Sequence, residues 1–157
     1  MRKLFPYALS LAVLFLAATV VMAAGPKVVS ETAMAGPYAI TLKVLPAESF
    51  TGPESEMTWD AGAKAVLLAS PVPPNHHLVA FVKRDGKPVE DASVVIRYRE
   101  MRPAESAWAT LPVARMHVTG KSLATTHYGN NVELTPGSYE AEVAVNGAKP
   151  AVFHFTI

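Results

Sequence analysis

The sequence contains no cysteine. A disulfide framework, a thiolate metal site and a cysteine nucleophile are therefore excluded together. An excess of one charge is also missing: fourteen Lys and Arg stand against thirteen Asp and Glu. Without Arg2 and Lys3 at the N-terminus, twelve basic residues remain against the same thirteen acidic ones, a net charge of about −1. So balanced a chain carries no electrostatic footprint for nucleic acid or an anionic membrane surface. No G-x-S-x-G elbow, P-loop, dinucleotide glycine pattern or H-E-x-x-H occurs, and no enzyme activity is expected. Internal repeats and amphipathic helical stretches are absent as well.

What is present begins with a leader. Arg2 and Lys3 precede the apolar run LFPYALSLAVLFLAATVVMA, and small residues at Ala23 and Ala24 lead into Gly25-Pro26. That layout predicts a secretory signal peptide over residues 1–24, cleaved after Ala23 or Ala24. An uncleaved anchor is the alternative, because the run approaches the roughly 20 residues of a membrane span. Pro6 and the small residues at the exit favour cleavage. Export to the periplasm or the extracellular space follows. Residues 25–36 are expected to form a flexible lead-in, and residues 37–157 a single domain. About 130 residues suffice for a core without covalent staples.

Within that domain short alternating stretches are separated by Pro and Gly, the pattern of an all-β sandwich. Tyr38, Ile40, Leu42 and Val44 alternate with smaller or polar residues up to Pro46. Phe50–Glu56 reads as a loop, Met57–Asp60 and Lys64–Leu68 as weaker strands, and SPVPPN (Ser70–Asn75) as a rigid connector. Leu78–Lys83 and a strand through Ala92, Val94, Ile96 and Tyr98 flank an Asp85-Gly86 turn. LTPGSYEAEVAV reads as a tyrosine-corner entry, with Tyr139 returning its hydroxyl to nearby backbone. Asn146-Gly147 is a hairpin signal, and Phe153, Phe155 and Ile157 share a face opposite His154. The expected architecture is an immunoglobulin-like antiparallel β-sandwich of about seven strands, with Trp59 and Trp108 in the core.

The chemistry-bearing residues are the five histidines and a methionine. His76 and His77 are adjacent where the proline connector enters a strand, so at most one of them points into a given site. Met116 and His117 are divided by the same alternation. His127 precedes a turn-rich YGNN just before a strand at Val132–Leu134, and His154 reads as a surface residue. Imidazole suits copper, zinc and iron, and thioether sulfur suits copper(I). The histidine spacings match no zinc motif.

Two segments carry a family likeness: HLVAFV at His77–Val82, and THYGNNVEL followed by PGSYEAEV across Thr126–Val143. They resemble the periplasmic ferrous-iron transport protein family, exported immunoglobulin-like sandwiches that bind copper or iron and serve iron uptake. The resemblance implies His77 and His127 as metal ligands and Met116 as a soft one, with His76 or His117 as substitutes. Three departures accompany it. Val79 stands where the family has a glutamate, the gap from Met116 to His127 is longer, and no counterpart to a further histidine segment follows Phe153.

The reading that results is an exported copper- or iron-binding protein, losing affinity below about pH 6 as its imidazoles protonate. The expected partners are the metal ion and a cell-envelope or membrane-transport protein, with a homodimer left open and nucleic acid not expected. The alternative is a non-catalytic envelope interaction module without a metal site, which an apolar patch around Trp59 or Trp108 would favour.

Overall fold

The computed structural model describes residues 28–48, 57–59, 74–102, 106–118 and 120–157. The signal peptide, the Phe50–Glu56 loop, the Lys64–Leu68 strand and most of the proline connector fall outside these residues. Among these residues there are eleven strands: β1 Val29–Ala35, β2 Tyr38–Pro46, β3 Met57–Trp59, β4 His76–Arg84, β5 Lys87–Pro88, β6 Val94–Glu100, β7 Ala109–Leu111, β8 Ala114–Val118, β9 His127–Val132, β10 Ser138–Val145 and β11 Ala151–Thr156. The one helical element among the described residues is a 3-10 turn, Leu123–Thr125, and no helix there could cross a membrane.

All pairings are antiparallel. The larger sheet runs β1-β2-β4-β9-β8-β3, with β5 on the end of β4, and the smaller runs β11-β10-β6-β7. The immunoglobulin-like sandwich read from the sequence is the fold observed. Seven of the strands have six or more residues, and the remaining four are short extensions.

Alternation sorts side chains between faces. Ile40, Leu42 and Val44 of β2 and Leu78, Ala80 and Val82 of β4 point inward and are buried. They meet Ile96 of β6, Ala141, Val143 and Val145 of β10, and Phe153 and Phe155 of β11 in one core cluster. Each Val, Leu, Ile or Phe among them contributes about 1.5–3 kcal/mol by leaving water. The tyrosine corner is present: Tyr139 Oη donates to the Thr135 carbonyl and accepts from the Thr135 amide, both at 3.0 Å. Asp85-Gly86 and Asn146-Gly147 have positive φ at both residues, as the two-residue hairpin turns require.

Two expectations are corrected. The lead-in over residues 25–36 is not loose throughout, because Val29–Ala35 pairs with β2 along seven residues. Its alternation is weak because β1 is an edge strand with largely exposed polar positions, so pairing rather than burial defines it. The YGNN segment is no turn either. Tyr128–Asn131 lies inside β9, where every residue is buried.

Candidate functional site

The outer face of the larger sheet carries the site. Register places His77 beside Asn131, Val79 beside Gly129, and Met116 beside His127. Strands β4, β9 and β8 are consecutive neighbours, so His77, His127 and Met116 leave the same face of the sheet. All three are buried, at 0%, 2% and 0% exposure, although Met116 and Val79 stand outside the sandwich core cluster.

Gly129 makes the close approach of β4 and β9 feasible. A Cβ at that position would lie 2.1 Å from the Leu78 carbonyl oxygen and 2.8 Å from Val79 Cα. Here glycine serves a tight strand contact, which is why a turn-former stands in mid-strand. The neighbouring asparagines likewise serve backbone outside their own strand. Asn130 Nδ2 donates to the Pro112 carbonyl at 3.0 Å, and Asn131 holds Glu48, just beyond the end of β2.

That second clamp settles a tautomer. The Glu48 amide donates to Asn131 Oδ1 at 3.1 Å, while Asn131 Nδ2 donates to the Glu48 carbonyl at 2.7 Å. The amide cannot be reversed without opposing donor to donor, so Oδ1 is an acceptor. His77 Nδ1, 3.0 Å from that oxygen, must carry the proton. His127 Nδ1 lies 2.9 Å from the Thr125 carbonyl and donates to it. In the neutral rings both histidines thus present Nε2 as the unprotonated nitrogen, the arrangement found where an outer carbonyl orients a ligating imidazole.

The rings meet edge to face with centroids 5.9 Å apart. Metal–nitrogen bonds of about 2 Å, plus about 1 Å from nitrogen to ring centre, hold two imidazoles on one ion to at most roughly 6 Å between centroids. The observed pair is inside that reach. Phe81 packs on His127 at 5.2 Å, and the Lys43 ammonium lies 4.9 Å from the Phe81 ring. Burial, and then repulsion from His127, push the His77 pKa down to about 4. Burial also lowers His127, assisted by the charges of His117 and Lys43 and opposed by its bond to Thr125. His77 therefore stays neutral well below ordinary histidine titration, and His127 is shifted in the same direction.

The other sequence candidates do not join this group. His76 alternates to the opposite side of β4, where its Nδ1 is 2.6 Å from Asn75 Oδ1. His117 pairs with Thr58 and alternates away from Met116, so only its charge is felt at His127. His154 is exposed, as expected. Among the described residues no three His, Cys, Asp or Glu side chains are placed to hold a metal, and the soft donor beside His127 is Met116. Sequence reasoning overlooked Asn131 and Lys43. Counting by twos from His127 and from the Val79 register partner would have put both on this face.

Trp108 corrects another expectation. It is half-buried outside the core, with the Arg97 and Arg99 guanidinium carbons 5.1 and 4.6 Å from its ring. The side chain of Trp59 lies outside what is described.

No protein-family model matches the chain, and no curated protein matches it well enough to stand as a relative. Solved structures do match. A copper-bound glutamate-to-glutamine variant of FetP from uropathogenic Escherichia coli strain F11 superposes with a TM-score of 0.55 at 13% identity, over 82% of this chain and 95% of that one. FetP of the same strain, as isolated after expression in the E. coli periplasm, gives 0.55 at 14%, over 85% and 97%. A DUF4426 family protein from Pseudomonas aeruginosa PAO1 gives 0.53 at 14%, over 82% and 94%. What is shared at this identity is the fold: the chain is an all-β sandwich built like FetP over nearly the whole length of that protein.

Proposed function

We propose that the protein is an exported transition-metal binding protein, taking copper or iron for handling or uptake rather than for catalysis. The supporting observation is the pair of buried imidazoles, each with Nδ1–H held by an oxygen, standing 5.9 Å apart beside Met116. Two imidazoles and a thioether suit a borderline or soft ion. The copper-bound FetP structure on the same fold, and FetP's expression in the periplasm, agree with that reading.

In this role Asn131 and Thr125 orient the two rings, and Val79 and Phe81 add hydrocarbon to the same face. The depressed pKa values revise the pH range expected from the sequence. A His77 ring that remains neutral toward pH 4, beside a His127 ring lowered in the same direction, competes less with protons, so affinity is expected to persist further below pH 6 than ordinary imidazoles allow.

Titration of the metal-free protein with copper(I), copper(II) and iron(II) tests the proposal. One ion per chain is expected for at least one of them. His77→Ala and His127→Ala should each weaken it about 100-fold, and Met116→Leu about tenfold. Equal, weak binding by the parent and all three variants would refute it.

A further inference from the structure

The turn between β10 and β11 is tied to strands on both sheets by one side chain. Asn146 and Gly147 are exposed at its tip with φ of 50° and 74°, and the Ala148 amide closes it on the Val145 carbonyl at 2.9 Å. From this tie we propose that Asn146 is a deamidation site held shut by the fold, reacting only when this end of the sandwich opens.

The tie follows from strand register. Val145 pairs with Val94, so the next facing residues are Asn146 and Ser93. Hydrogen-bonded facing residues in an antiparallel ladder exchange two N–H···O bonds. The Asn146 amide donates to the Ser93 carbonyl at 2.8 Å, as that pattern requires. The return bond goes to the side chain instead of the backbone: the Ser93 amide donates to Asn146 Oδ1 at 2.8 Å. Because a backbone N–H can only donate, Oδ1 and Nδ2 are distinguished, and Nδ2 donates to Tyr38 Oη at 3.0 Å. Tyr38 opens β2 on the larger sheet, whereas Ser93 leads into β6 on the smaller one. One amide group therefore spans both sheets.

The same group is chemically labile. Once the Gly147 backbone nitrogen gives up its proton to base, it can attack Asn146 Cγ. A bond forms between that nitrogen and Cγ, the Cγ–Nδ2 bond breaks, and Nδ2 leaves as ammonia, taking a proton from water. Water then opens the five-membered imide at either carbonyl, giving aspartate or isoaspartate at this position. Gly147 places no Cβ beside the attacking nitrogen, and both residues are open to water and hydroxide. What holds the reaction back is position. Cγ has to turn onto the Gly147 nitrogen and Nδ2 has to depart, so the bonds to Ser93 and Tyr38 break before the ring closes. The two products differ in what they still hold. Aspartate keeps acceptors for the Ser93 amide and for the Tyr38 hydroxyl, which rotates to donate. Isoaspartate puts an extra methylene into the backbone, so the pairing with Ser93 loses its register and this end stays untied.

The test follows the full mature chain at mildly alkaline pH, folded and in denaturing urea. Digestion and mass spectrometry read the gain of one mass unit at Asn146, and chromatography separates the aspartate and isoaspartate forms. The folded chain should react at least about tenfold more slowly than the unfolded one, on the strength of two hydrogen bonds. Tyr38→Phe removes one of them, and should speed the folded chain about fivefold while leaving the rate in urea unchanged. The purified isoaspartate form should unfold at lower urea than the parent, with Asn146→Asp between them. Equal rates folded and unfolded, or no reaction in urea, overturns the proposal. A folded Tyr38→Phe chain that reacts no faster than the parent overturns the tie as the restraint, and an isoaspartate form as stable as the parent overturns the untying.

Discussion

The two outer faces of this sandwich are built from opposite materials. On the larger sheet the outer face holds His77, Val79, His127 and Met116, all buried and, in their neutral state, uncharged. On the smaller sheet it holds Arg97 paired with Glu142 and Arg99 paired with Glu140, with Trp108 between the guanidinium groups. Both faces contain histidine, but His154 is exposed and 4.0 Å from Glu140, whereas His77 and His127 are sealed from water. Residue type alone does not separate a surface histidine from a ligand candidate. Burial and a fixed tautomer do. At Trp108, one of the two places where an apolar patch would favour the interaction-module reading, the neighbours are instead the Arg97 and Arg99 guanidinium groups.

The comparison can be broken most severely at Gly129. Gly129→Ala places a methyl group against the Leu78 carbonyl and should cost about 3 kcal/mol in urea unfolding, since backbone has to move. Metal affinity should fall with it as the β4–β9 contact opens. On the exposed face Val152→Ala, which removes two methyl groups, should stay within about 0.5 kcal/mol.

Acid should separate the faces next. The folded pKa of His77 is about 4 against 6.5 when unfolded, so the unfolded chain binds more protons between those values. Stability from this group is complete above pH 6.5, declines as pH falls toward 4, and levels off below. The shift corresponds to about 3 kcal/mol, and His127 acts in the same direction. Unfolding measured from pH 7.5 to 3.5 should show that slope, and His77→Gln should flatten it.

The smallest effect belongs to the charged face. A double-mutant cycle on Arg97 and Glu142 should give a coupling of about 0.2–1 kcal/mol that shrinks in 1 M salt, because both side chains are partly exposed. A larger coupling, insensitive to salt, would show that this face is more rigid than its exposure implies.

Much of the fold was legible because it depends on local grammar. Alternation marked β2, β4, β10 and β11, and the Asp85-Gly86, Asn146-Gly147 and Tyr139 signals each meet their structural counterparts. The edge strand β1 was not legible, because nothing in its composition demands burial. The YGNN segment misled for a physical reason. Gly and Asn normally mark turns, but here a glycine admits a neighbouring backbone and the asparagines satisfy carbonyls on other segments. Of the site, His77, His127 and Met116 were named from family likeness, and alternation alone divided His76 from His77 and Met116 from His117. Long-range register decided the rest. That Lys43, Val79 and Gly129 form one row across three strands is a fact of pairing, which no single segment encodes.

The central claim is that His77 and His127 are both held as Nδ1–H tautomers, offering Nε2 to one ion. Long-range proton–nitrogen correlation NMR of the imidazoles in metal-free protein at pH 7 tests it most directly. The account predicts a protonated Nδ1 and an unprotonated Nε2 for both rings, with the two Nε2 signals moving together when one equivalent of copper(I) is added. A protonated Nε2 on either histidine, or copper(I) shifting one ring without the other, would contradict it.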